Sequence, residues 1–85
     1  MKNLEKLLIK YFKDVLKEHH LDSFATDYPS MHAYLLPISG LEYSVLYNTL
    51  THKTVPELER KNILTRRKLT SGRYIFIVDF RKPKK

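Results

Sequence analysis

The sequence predicts a small α+β domain: a long N-terminal amphipathic helix, two short helices and a C-terminal β-hairpin. Three observations carry that reading. Leu4, Leu7, Leu8, Tyr11, Phe12, Val15 and Leu16 recur at three- and four-residue spacing, one apolar stripe of a helix. Residues 63–80 hold two β-prone runs around Thr70-Ser71-Gly72, a short turn with a glycine. With 85 residues and no cysteine, the chain has room for one domain and no disulfide framework. The domain is expected to span residues 1–80, with 81–85 (RKPKK) as a flexible basic tail.

The first helix covers residues 3–18, with Asn3 as N-cap, and frays by His19-His20. Residues 20–30 read as a loop, because Pro29 disfavours helical geometry at Tyr28. Met31–Leu36 is short, apolar and stops at Pro37, which reads as a strand. Residues 41–50 fit two patterns. Leu41, Tyr43, Val45 and Tyr47 alternate as in a strand, while Leu41, Val45, Leu46 and Leu50 make a helical stripe flanked by Tyr43 and Tyr47. Thr54-Val55-Pro56-Glu57 has the form of a capping box, opening a short helix over 54–62 that Asn62 ends. The hairpin then pairs 63–69 with 73–80. Its second strand is apolar on both faces, as a central strand is.

Composition bounds the function. The chain is 42% hydrophobic and 29% charged, too apolar for a disordered segment. Lys2, Glu5, Lys6, Lys10 and Lys13 interrupt any signal-peptide core, and no apolar run approaches membrane length. A reducing cytoplasm and no membrane contact are the expectation. The net charge of +7 is unevenly placed: residues 1–17 carry +3, residues 18–52 carry −4 with no Lys or Arg, and residues 53–85 carry +8. Such asymmetry marks one region for an anionic partner and another for something else.

The order of elements resembles a winged helix-turn-helix domain, most closely over Val55–Phe80 (VPELERKNILTRRKLTSGRYIFIVDF). Leu58-Glu59 with Ile63-Leu64 match the exit of a recognition helix, and Arg66-Arg67-Lys68 with Gly72-Arg73 match the wing. The resemblance implies a DNA-binding protein, either a transcriptional regulator or an accessory factor in plasmid or phage DNA processing. It also implies a homodimer, since the class reads palindromic sites.

Independently of the resemblance, Arg66, Arg67, Lys68 and Arg73 gather round a hairpin tip, and guanidinium groups suit phosphate oxygens. Thr70 and Ser71 add hydroxyl donors for phosphate. The expected double-stranded DNA site is therefore Lys53, Arg60, Lys61, Arg66, Arg67, Lys68, Thr70, Ser71, Arg73, Arg81 and Lys82. The sequence departs from the family in one respect: the short helix offers Glu57 and Glu59, which phosphate repels. Asn48, Thr49, Thr51, His52, Lys53 and Thr54 are better suited to the major groove, and the wing and tail should supply more affinity than the helix.

No enzyme is expected, and no metal or cofactor. His19-His20, His32 and His52 lack ligand spacing, and Gly40 and Gly72 alone make no phosphate loop. Pro56-Glu57 and Asp79-Phe80-Arg81 resemble a restriction-like nuclease signature, but Arg81 stands where that signature has Lys. The alternative function is a protein-interaction module, such as an inhibitor of a nucleic-acid enzyme. Its partner would meet residues 18–52, where Tyr28, Tyr34, Tyr43 and Tyr47 cluster without a basic residue. RNA ranks third, because no strand shows exposed stacking aromatics beside basic neighbours.

Overall fold

The computed structural model describes residues 3–80. Helix α1 (Leu4–Glu18) forms as its periodicity requires. Asn3 accepts a hydrogen bond from the Lys6 N–H at 3.2 Å, and Leu4, Leu8 and Phe12 bury one face. His20 takes a left-handed conformation (φ 55°), and the Leu21 N–H closes back on the Leu16 carbonyl at 2.8 Å. That bond satisfies a carbonyl which the helix end would otherwise leave open.

Two expectations for residues 20–36 are corrected. Phe24–Thr26 is not loop but strand β1, paired antiparallel with Phe76–Val78. Three residues are too few to show an alternation, so the strand exists because a neighbouring edge accepts it. Met31–Leu36 is not a strand but the middle of helix α2 (Tyr28–Ser39). Met31, His32, Leu35 and Ser39 are buried at helical spacing. Both prolines sit where a helix tolerates them. Pro29 follows the first helical residue, Tyr28, where its missing N–H costs nothing, and Pro37 stands in the last turn. Asp27 caps the helix, accepting from the Ser30 N–H at 2.9 Å. Gly40 ends it with φ 75°, a conformation that side chains resist.

The ambiguous residues 41–50 are helical. Helix α3 (Tyr43–Thr49), a π-helical turn (Leu50–Thr54) and helix α4 (Val55–Arg60) run on without a break. The expected capping box at Thr54 is thereby corrected. Thr54 has helical dihedrals (φ −68°, ψ −52°), makes no side-chain cap and is buried mid-helix. Two facts require the π turn. Pro56 has no N–H for the carbonyl four residues back, and its ring crowds that turn. The buried positions step from Leu46 to Leu50 to Val55 to Leu58. The five-residue step from Leu50 to Val55 would swing Val55 off the core in a regular α-helix, and one extra residue in the turn returns it. The Val55 N–H accordingly bonds the Leu50 carbonyl. Asn62 stops the helix at φ 66°, as the sequence indicates, with the Ile63 N–H on the Leu58 carbonyl at 3.0 Å.

The hairpin forms as expected, with strands shorter than the sequence reading: β2 (Leu64–Lys68) and β3 (Tyr74–Val78). The Gly72 N–H bonds the Leu69 carbonyl at 2.9 Å, and Gly72 has φ 91°. This is a turn followed by a glycine bulge, the usual form for a three-residue hairpin loop. The sheet order is β1-β3-β2, so β3 is central, in keeping with its apolar faces. Leu64, Phe76 and Val78 carry one sheet face into a core shared with Leu8, Phe12, Met31, Leu35, Leu46, Leu50 and Leu58. The result is a small α+β unit, helices first and a hairpin last. Among the described residues, no helix is long and apolar enough to cross a membrane.

Candidate functional site

Strand register divides the expected basic cluster. Arg66 and Lys68 lie opposite Phe76 and Tyr74, on the core-facing side of the sheet where it runs out toward the turn. Arg67 lies opposite Ile75, on the other side. Arg67 and Lys68 are exposed and have no ion-pair partner among the described residues; Thr70 and Ser71 are exposed at the turn. Arg73 reaches Asp27 Oδ2 at 3.7 Å. The hairpin tip thus presents cations on both faces.

Arg66 is differently occupied. Its Nε and Nη2 donate to the two carboxylate oxygens of Glu59 at 2.9 and 3.0 Å, and Nη2 also reaches the Tyr28 hydroxyl at 3.4 Å. Its guanidinium sits 5.1 Å from the Tyr74 ring centroid and 5.4 Å from that of Phe76, within cation–π range. The Glu59 hydrogen bonds push the Arg66 pKa up, and burial raises that of the Tyr28 hydroxyl. Arg66 therefore ties the hairpin to α4 and α2.

The remaining expected residues do not join the hairpin group. Arg60 pairs with Glu57, and Lys61 pairs with Glu5 on the first turn of α1 and stands 4.0 Å from Glu57. These acids neutralise the two cations where they stand. Arg81 and Lys82 lie outside the described residues. Of the polar helix positions, Asn48, His52 and Lys53 are exposed, whereas Thr54 is buried. Lys53 lines a groove of about 480 Å³ with Asn3, Leu4, Leu41, Val45 and Thr49. That groove lies on the α1 side of α3, away from the hairpin.

Of the tyrosines clustered in residues 18–52, Tyr28, Tyr43 and Tyr47 join a row of aromatic rings whose extension to the hairpin the sequence did not indicate. The Tyr43 ring lies 4.2 Å from that of His32, His32 lies 5.9 Å from Tyr47, and Tyr47 lies 6.3 Å from Tyr28. Tyr28 stands edge-on to Phe76 at 5.0 Å, and Arg66 bridges onward to Tyr74. His32 is itself buried, its Nε2 3.1 Å from the Tyr43 carbonyl, which ties α2 to the first turn of α3. Tyr43, Tyr47 and Tyr74 are 66%, 42% and 38% exposed. An exposed aromatic beside basic residues therefore does exist on β3, Tyr74 with Arg66 and Lys68, while α3 exposes Tyr43 and Tyr47 without one. The signal in the sequence was the four-residue spacing of Tyr43 and Tyr47, legible once 41–50 is known to be helical.

Asp27 links helix cap and hairpin. Hydrogen bonds from Ser30 hold its carboxyl below the ordinary value, with the charge of Arg73 adding to the effect. A depressed carboxylate pKa stabilises the fold above the unfolded value, and that gain is lost as pH falls through the folded one. Asp27→Ala is expected to cost about 1 kcal/mol at neutral pH. In urea denaturation, that difference should shrink below about pH 4. A difference constant from pH 7 to pH 3 would contradict the charged cap.

Comparison with protein-family models, curated proteins and solved structures returned no match for this chain.

Proposed function

We propose that the protein is a non-enzymatic, winged helix-turn-helix DNA-binding protein, acting as a transcriptional regulator or as an accessory factor in DNA processing. The observation that carries the reading is the exposed hairpin, with Arg67 and Lys68 on its two faces and Thr70, Ser71 and Arg73 at its tip. Support comes from the order helix, strand, helix, helix, strand, strand and the sheet order β1-β3-β2. The tight connection 40–42 between α2 and α3 supports it too. In this reading α3 and the π turn after it lay Ser44, Asn48 and His52 toward the major groove. The hairpin then sets its cations against the phosphates flanking the adjacent minor groove, one face toward each strand.

The ion pairs argue for the expected order of contributions, hairpin before helix. Arg60 and Lys61 already hold acids and add little, so the hairpin supplies most of the phosphate contact. A homodimer reading a palindrome belongs to the same proposal. The protein-interaction alternative draws on the groove beside Leu41 and Val45.

The test is amide chemical-shift mapping with a 30-base-pair duplex. Shifts concentrated in residues 43–53 and 66–74 are expected. Shifts confined to the groove wall at Leu4, Glu5 and Leu41, or none at all, would contradict the proposal.

A further inference from the structure

We propose that the aromatic band from Tyr43 to Tyr74 is a stacking surface for unpaired bases, so that this face binds best a duplex carrying a single-stranded stretch. The inference rests on the nucleic-acid reading above and deepens it by naming the form of the partner.

Three observations carry it. First, Tyr43 and Tyr47 are exposed on either side of buried His32, and the row runs on through Tyr28 and buried Phe76 to Arg66, which bridges to exposed Tyr74. The exposed aliphatics Leu21, Val45 and Leu69 lie elsewhere, just after α1, in the groove and at the hairpin turn. Bases within a duplex show only their edges in the grooves, whereas an unpaired base offers the flat face that a ring can cover.

Second, residues 43–52, which would enter the major groove, contain no Lys or Arg, and Glu42 precedes them. A helix so composed is poorly matched to two phosphate backbones and well matched to bases.

Third, the cations stand at the end of the band. Lys68 shares the sheet face of Tyr74, and Arg66 is fixed over that ring. Stacking platforms for single strands combine rings for the bases with a basic edge for the backbone. Glu59 and Tyr28 hold Arg66 in place, so the rings are positioned before any ligand arrives.

The experiment uses the full chain with three probes: a blunt 20-base-pair DNA duplex, the same duplex with a six-nucleotide single-stranded overhang, and a 12-nucleotide thymidine strand. The chain has six Tyr and no Trp, so intrinsic fluorescence reports the tyrosines alone. The overhang duplex is expected to bind roughly tenfold or more tighter than the blunt one, with tyrosine fluorescence quenched. In a Tyr43→Ala/Tyr74→Ala variant the ratio of overhang to blunt affinity should fall to about one, and Tyr43→Phe/Tyr74→Phe should retain the preference.

Equal affinity for blunt and overhang duplexes, or a preference that survives the alanine pair, overturns the inference and leaves the duplex reading standing. Binding of the thymidine strand and the overhang but not of the blunt duplex supports the stacking surface and overturns the duplex reading. Binding of none overturns both and leaves the band to a protein partner.

Discussion

Phe76→Ala is expected to cost about 3–5 kcal/mol of folding free energy, a large share of the roughly 5–15 kcal/mol available to a small domain. Phe76 is fully buried in the central strand, between Thr26 on one side and Arg66 on the other. It holds Tyr28 edge-on at 5.0 Å and lies beneath the Arg66 guanidinium. Truncation opens a cavity at the junction of the sheet with α2. It also unseats two members of the aromatic band. Urea denaturation measures the cost, and Phe76→Leu should keep all but about 1.5 kcal/mol. A loss in the alanine variant no larger than that would mean that Phe76 does not anchor the sheet to the helices.

Replacing Arg67, Lys68 and Arg73 together by alanine is expected to weaken duplex binding about a hundredfold near 100 mM salt. It should also flatten the log–log salt dependence by about 2.7, at roughly 0.9 per phosphate contact. These three are chosen because they are exposed, and among the described residues Arg73 alone of them has an ion-pair partner, the 3.7 Å approach to Asp27. Arg66 is left out because Glu59 and Tyr28 hold it. A matched Arg60→Ala/Lys61→Ala variant should change affinity less than threefold, since both cations already hold acids. Single Arg67→Ala or Arg73→Ala substitutions cost about 1–3 kcal/mol where the side chain meets a base or an enclosed phosphate. Equal effects of the hairpin and helix-end variants would remove the hairpin from the binding surface.

What the sequence disclosed follows from how local each signal is. Helix α1 and the hairpin announce themselves because their periodicity and turn chemistry lie within one element. Strand β1 is three residues held by a partner some fifty positions away, and nothing within Phe24–Thr26 encodes that. Helix α2 was hidden by Pro29 and Pro37, whose positions at the first and last turns are harmless but read locally as breaks. Thr54-Val55-Pro56-Glu57 has the letters of a capping box, yet the preceding residues are helical, so Thr54 has no free N–H group to cap.

The site was legible in the same uneven way. The cations of the hairpin were readable from its alternation. Which of them remain free was not, because Glu59, Glu57 and Glu5 reach Arg66, Arg60 and Lys61 through the fold. The aromatic band needs α2, α3 and β3 side by side. No window along the chain contains all three.

The decisive measurement is the salt dependence of binding to a random 30-base-pair duplex, read by fluorescence anisotropy between 50 and 300 mM salt. A phosphate-reading hairpin predicts micromolar dissociation constants and a log–log slope steeper than about −2.5. No binding at 50 mM salt, or binding with a slope near zero, would contradict DNA recognition and assign the +8 charge of residues 53–85 to a protein partner.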